Sequence, residues 1–97
     1  MAKRDKPYPC ADERLRMAQE HIDRAWAMAQ SITAETPGRQ RSVLIHQVRA
    51  QVRDGQGWAQ TITGYWRCSP TPDQLDRAAA VRRGGYDALD HARRFSR

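Results

Sequence analysis

The longest stretch of helical hydrophobic spacing covers residues 11–34. The acid-first pairs Asp12–Arg16 and Glu20–Arg24, each four residues apart, add support for a helix. At helical spacing the apolar side chains cover an arc of roughly 180°, which predicts the central helix of a bundle. They are Leu15, Met17, Ala18, Ile22, Ala25, Trp26, Met28, Ala29 and Ile32.

A second helix is predicted to follow at once and to end near Asp54. Thr36 suits its N-cap and Pro37 its first helical position. Gly55 suits the residue just beyond a helix, so residues 55–57 are predicted to form a loop. The apolar stripe of this helix consists of Leu44, Ile45, Val48 and Val52.

Residues 58–68 are compatible with two kinds of secondary structure. A helix aligns Trp58, Ile62 and Tyr65, whereas a strand aligns Trp58, Ile62, Trp66 and Cys68. β-Branched and aromatic residues favour a strand. A lone strand has no evident partner in this chain, so a short helix is the preferred interpretation and the strand stays open.

The last helix is predicted to start at Pro72, because Thr71 and Gln74 have capping-box spacing. We expect Gly84-Gly85 either to stop it at Arg83 or to kink it, since the apolar phase continues past the glycines. The residues in this phase are Leu75, Ala78, Val81, Tyr86, Leu89, Ala92 and Phe95.

These elements predict an all-α fold, a compact single-domain bundle of three to five helices. A chain of 97 residues has no room for a second core. Residues 10–97 are expected to form the single helical domain, and residues 1–9, with two prolines and three basic residues, a flexible basic tail. There is no apolar run of membrane-spanning length and no secretory signal, so a cytoplasmic location is expected.

Charge is concentrated in the second predicted helix. The net charge is +6, and four of these charges fall in residues 36–53, which contain four arginines and no acid. Arginine and alanine enrichment also arises in GC-rich genomes, so the location of the arginines is stronger evidence than their number. Residues on one face, within an arc of about 80° at helical spacing, predict an anion-binding surface: Arg39, His46, Arg49 and Arg53.

The function predicted from this face is non-enzymatic binding of an anionic partner, either nucleic acid or a nucleoprotein complex. Arg93 and Arg94 near the C-terminus, together with the basic tail, are expected to extend the binding surface. The competing interpretation is a solvated face, paired with acids of the last helix: Asp73, Asp76, Asp87 and Asp90.

An alternative function is a protein-interaction module, an inhibitor or adaptor of the kind that mobile elements or phages encode. It would dock onto an acidic protein through the aromatic residues Trp58, Tyr65 and Trp66 and nearby arginines. The competing interpretation is that these aromatic residues are core, because a small domain needs large side chains to bury enough area.

The segment from residue 61 to the last helix also resembles the turn of a helix-turn-helix motif. In that arrangement Ile62, Trp66 and Cys68 point inward and the last helix, with Arg82 among its arginines, enters the DNA groove. The segment departs from the motif at Arg67, where glycine is usual, and Asp73 stands where a buried aliphatic residue is expected.

No metal, cofactor or catalytic site is predicted. The cysteines and histidines lack the short spacing of a zinc site, and the two cysteines are expected to be free thiols. The chain has no phosphate-binding loop and no nucleophile elbow, so no enzymatic activity is expected.

Overall fold

The structure consists of three long helices. This computed structural model describes residues 10–64 and 68–95, and no strand occurs among them. The helices are α1 (Ala11–Gln30), α2 (Gly38–Gly64) and α3 (Pro72–Ala92). The prediction of an all-α fold is confirmed, with three helices as the lower limit of the expected range.

α1 is the helix predicted from the first apolar pattern, although it ends four residues earlier than expected. The chain leaves the helix at Ser31, whose hydroxyl donates a hydrogen bond to the Met28 carbonyl at 2.6 Å. Ile32 follows the helix but is still buried, with 2% of its surface exposed. Burial of apolar side chains therefore continues beyond the end of α1.

α2 differs most from the prediction. It begins at Gly38 rather than Pro37, and the Thr36 hydroxyl accepts a hydrogen bond from the Thr33 N–H at 2.9 Å. The predicted end at Asp54 and the loop at 55–57 are wrong, because the helix continues to Gly64 with Gly55 buried inside it. The helical interpretation of residues 58–64 is correct, as part of α2 rather than as a separate helix.

α3 begins at the predicted capping box. The Thr71 hydroxyl accepts from the backbone N–H of Gln74 at 3.1 Å, and the side-chain amide oxygen of Gln74 accepts from the backbone N–H of Thr71 at 2.9 Å. Of the two alternatives expected at Gly84-Gly85, the stop at Arg83 is wrong, and a single long helix runs from Pro72 to Ala92. The prediction that Leu75 and Tyr86 are inward is also wrong, because their side chains are 40% and 61% exposed.

The buried positions of all three helices alternate at intervals of three and four residues. This is the heptad spacing of helices that pack along one another at a small angle. Two glycines take inward positions, and alanine dominates the remainder. The buried sets are Ala11, Leu15, Ala18, Ile22, Ala25 and Ala29 in α1; Val48, Val52, Gly55, Ala59 and Ile62 in α2; and Ala78, Val81, Gly85, Ala88 and Ala92 in α3.

The helices run up, down and up. One end of the core joins the start of α1 to the end of α2 and the start of α3, as shown by the cluster that contains Leu15, Ile62 and Ala78. The other end joins Ala29, Val48 and Ala92. α2 is therefore antiparallel to both of its neighbours, whereas α1 and α3 are parallel.

This arrangement contradicts the helix-turn-helix interpretation. In that motif two short helices meet at about 90–120°. Here α2 and α3 lie side by side over most of their lengths, and residues 61–64 of the supposed turn belong to α2.

The molecule is extended rather than compact, which corrects the predicted shape. Its extents are 57 × 26 × 16 Å and its radius of gyration is 16.0 Å, against about 12.5 Å for a compact domain of this length. Helices of 20 to 27 residues packed lengthwise account for the difference. The predicted tail at 1–9 lies outside the described residues.

The three helices approach most closely around Ile22. A Cβ atom on Gly55 would lie 2.7 Å from Ile22 Cδ1 and 3.1 Å from the Ala18 carbonyl oxygen. A Cβ atom on Gly85 would lie 2.9 Å from Val52 Cγ1 and 3.2 Å from Ile22 Cδ1. Glycine at these two positions therefore admits the isoleucine side chain between the helix backbones.

A matched pair of substitutions in α2 tests this close approach. Gly57→Ala meets nothing within 4 Å and should stabilise the protein by up to about 1 kcal/mol through helix propensity. Gly55→Ala gains the same propensity but overpacks Ile22, so we expect a net loss of about 1–2 kcal/mol. Thermal unfolding followed by circular dichroism measures both, and equal stabilisation by the two alanines would contradict the proposed role of Gly55.

Candidate nucleic-acid interface

The four residues of the predicted arginine face are all exposed on α2. This strip consists of Arg39, His46, Arg49 and Arg53. Its ends are fourteen positions apart in sequence, which corresponds to about 21 Å along the helix axis. The remaining arginine of residues 36–53 is Arg41, which is half-buried and donates a hydrogen bond to the Thr36 carbonyl at 2.8 Å, so it does not belong to the strip.

No acid neutralises the strip in the described part of the chain. The ion pairs found there join Arg16 to Glu13 and Glu20 and Arg77 to Asp12. The four acids of α3 proposed as partners are exposed and form none of these pairs. The strip is therefore exposed to solvent and has no internal ion pair among the described residues, so its guanidinium groups are available to an external anion.

The orientation of α2 places part of the strip beside α3. Gln51 faces α1, because its side-chain oxygen lies 2.7 Å from Nδ1 of His21. Val52 faces the core, where it meets Gly85. A further step of about 100° turns Arg53 to the side of α2 that borders α3. Arg49, one turn earlier, lies on the same side, and Arg53 also borders an open groove towards α1.

The orientation of α3 about its own axis follows from its two adjacent glycines. Gly84 faces α1, since a Cβ atom there would meet Ile22 at 3.4 Å, and Gly85 faces the core. The next step of about 100° turns Tyr86 to the side of α3 that borders α2. Arg82 and Arg93 lie four residues before and seven residues after Tyr86, at intervals that keep them on that side.

The two helices therefore present one shared surface, which we call the α2/α3 face. Gln56 spans the seam beneath it, donating from its amide to the Arg82 carbonyl at 3.2 Å. Every residue of the face is exposed in the structure. Its members are Arg49, Arg53, Arg82, Tyr86 and Arg93.

One acid of these two helices borders this face, and the others lie away from it. Asp54, the one acid of α2, borders the groove towards α1 together with His21 and Trp58. Asp90 lies four residues after Tyr86, the same interval at which Arg82 precedes it, so its exposed carboxylate borders the face, whereas the other α3 acids fall on the outer side or the α1 side at helical spacing. The α2/α3 face thus combines four arginines with one exposed aromatic ring.

Only part of this surface was predicted from the sequence. Arg49, Arg53 and Arg93 were predicted as site residues, whereas Arg82 was considered only for the helix-turn-helix alternative and Tyr86 was placed in the apolar phase of the last helix. The missing signal was the inward position of Gly85, which turns Tyr86 outward. Arg94, also predicted, is exposed but points about 100° away from Arg93.

The predicted aromatic contact surface is described in part. Trp58 is half-buried, packs against the core, and has the Arg14 guanidinium carbon 5.8 Å from its ring centroid. Tyr65 and Trp66 lie outside the described residues. Trp58 therefore contributes to packing and to a cation–π contact.

The opposite side of the bundle has a different character. An open groove of about 740 Å³ runs between α1 and α3, with Trp26 and Val81 in its floor and Arg16 and Arg77 at its rim. Both rim arginines belong to the ion pairs described above. The hydrogen bond that Arg16 donates to the Glu13 carboxylate, together with the charge of that carboxylate, raises the pKa of Arg16.

The two cysteines are not joined by a disulfide, as predicted. Cys68 is buried, with 8% of its surface exposed. Burial raises the pKa of its thiol, a hydrogen bond with Cys10 raises it further, and Arg14 opposes the rise. Among residues 10–64 and 68–95, no three metal-binding side chains form a cluster.

Comparison with protein-family models, curated proteins and solved structures finds no match for this chain. Within the described residues, no helix has both the length and the apolar character needed to cross a membrane. The assignment of function therefore depends on the site itself.

The raised pKa of Cys68 predicts slow alkylation in the folded protein. The thiolate is the reactive species, so at pH 8 Cys68 should react with iodoacetamide more slowly than in the urea-unfolded chain. The difference should narrow as the pH rises through the folded-state pKa. Peptide mass spectrometry quantifies the modification at each cysteine, and equal rates in the folded and unfolded chain would contradict the prediction.

Proposed function

We propose that this chain is a non-enzymatic nucleic-acid-binding protein whose α2 arginine strip engages backbone phosphates. The observation that supports the proposal most is the exposure of Arg39, His46, Arg49 and Arg53 without an acidic partner among the described residues. Unpaired exposed arginines raise the local potential and have donors free for phosphate oxygens.

The strip is suited to backbone contacts rather than to base-specific contacts. Its cationic groups follow the axis of one straight helix, so they can contact successive phosphates along a strand. Such contacts fix position and supply affinity but convey no sequence information. We therefore expect weak sequence preference and a steep dependence of affinity on salt.

The edge between α2 and α3 also lacks the charge pairing usual in helical bundles. Residues that flank the heptad core commonly form interhelical salt bridges. On this edge Arg49 and Arg82 take flanking positions, and no described acid pairs with them. These arginines thus add little to folding stability, which favours a role in binding.

The alternative of docking onto an acidic protein uses the same arginines. Of its aromatic residues, Trp58 is packed against the core and the others lie outside the described residues. No separate observation favours this function, so an acidic protein partner is the outcome to pursue if nucleic acid does not bind.

Paired arginine substitutions test the proposal. Arg49→Gln/Arg53→Gln should weaken binding of labelled duplex DNA about tenfold, taking about 0.7 kcal/mol for each exposed contact. The slope of log affinity against log salt should become shallower by about 1.8. Fluorescence anisotropy across a salt series measures both quantities.

Arg16→Gln/Arg77→Gln is the matched control. It removes the same charge from the α1/α3 side, where both arginines are already paired. We expect this control to retain most of the affinity and of the salt slope. Equal losses in the two double variants would show that net charge alone governs binding, and no binding of the wild-type protein at low salt would reject the proposed function.

A further inference from the structure

Tyr86 is exposed to a degree that its position in the fold does not require. It is the most exposed of the large hydrophobic residues in the described chain, at 61% of its surface. The inward positions beside it are taken by Gly85 and Ala88, so its ring makes no contribution to the core. No hydrogen bond involves its hydroxyl among the described residues.

The antiparallel register brings arginines of both helices to the level of this ring, with the acid Asp90 about 6 Å beyond it on its own helix. Val52 lies against Gly85, and Gln56 reaches the Arg82 carbonyl. On this register, the level of Tyr86 along the axis falls between Arg49 and Arg53. On its own helix Arg82 lies about 6 Å before it and Arg93 about 10 Å beyond it along the axis.

An aromatic ring between phosphate-binding groups suits one kind of ligand. Single-stranded nucleic acid offers unpaired base faces that stack on aromatic side chains, alternating with backbone phosphates. In a duplex both faces of each base are already stacked, so the ring has nothing to contact. Stacking and phosphate charge do not depend on the 2′-hydroxyl group, which makes DNA and RNA strands equivalent ligands here.

We infer that the α2/α3 face is a binding site for single-stranded nucleic acid, in which Tyr86 stacks on an unpaired base while Arg49, Arg53, Arg82 and Arg93 hold the flanking phosphates. This inference rests on the proposed function and specifies its ligand. It assigns base contact to a residue of α3 and phosphate contact to both helices.

A strand without bases separates the two contributions. We would measure anisotropy of labelled fifteen-nucleotide oligo-dT, oligo-U and an abasic deoxyribose-phosphate strand of equal length. The wild-type protein should bind oligo-dT about tenfold more tightly than the abasic strand, the size expected for one stacked base. Tyr86→Ala should abolish this difference by weakening oligo-dT and oligo-U binding alone, and Tyr86→Phe should preserve it.

Val43→Ala is the matched control, because Val43 is also an exposed apolar residue, at 51%, but lies on the outer side of α2. It should leave all affinities unchanged. Circular dichroism should show that Tyr86→Ala melts within a few degrees of the wild type, since the ring is mostly in solvent.

The outcomes separate this inference from the proposed function. If the wild-type protein binds none of the strands at low salt, the proposed function fails and this inference fails with it. If it binds all three with equal affinity, or if Tyr86→Ala weakens the abasic strand as much as oligo-dT, phosphate binding stands and base stacking is overturned. A loss confined to either DNA or RNA would overturn the equivalence of the two strands.

Discussion

The fold depends on the close approach of three helices around one isoleucine. Ile22 lies between two glycines, Gly55 of α2 and Gly85 of α3, at distances that leave no room for a Cβ atom without displacement. Alanine fills most other inward positions, so the helices approach closely over their whole length. Such a thin core gains stability from packing at short range rather than from large buried side chains. It also fixes the rotation of each helix, because a glycine position cannot exchange with a larger neighbour without a clash.

That rotation decides which polar residues share a surface. With Gly85 inward, Tyr86 turns towards α2, and with Val52 inward, Arg53 turns towards α3. The charge distribution follows from this geometry. Paired arginines lie on the α1/α3 side, where Asp12 receives both Arg77 and the amide of Gln74. Asp90 is the acid nearest to the α2/α3 side and forms no ion pair, so the arginines there have no acidic partner among the described residues.

The local features of the fold were predictable from sequence, and the features set by tertiary contacts were not. The capping box at Thr71 and Gln74 and the long apolar arc of α1 depend on residues within a few turns of each other, and both predictions are confirmed. Gly55 was misinterpreted as a helix end, and Gly84-Gly85 was left open between a stop and a kink, because glycine favours two different situations, the end of a helix and the close approach of another backbone. Only the packing of α1 against Gly55 distinguishes these two situations. The predicted compact shape was wrong for the same reason, since the predicted break at residues 55–57 shortened α2.

The residues of the candidate site also divide into those predictable from local spacing and those brought together by tertiary contacts. Arg39, His46, Arg49 and Arg53 belong to one helix, so helical spacing alone predicts that they share a face. Arg82 and Tyr86 join them only through the register of α2 against α3, which no local pattern encodes. An exposed tyrosine and unpaired arginines on a bundle edge add little to the stability of the fold. The tyrosine ring buries little apolar area, and the arginines form no salt bridge among the described residues. Their convergence on one acid-poor edge is more readily explained by an anionic ligand with a flat aromatic part than by folding stability. On the proposed function, the bundle would be a support that holds the tyrosine ring and the arginines at fixed spacing, which would lower the entropic cost of binding a flexible strand.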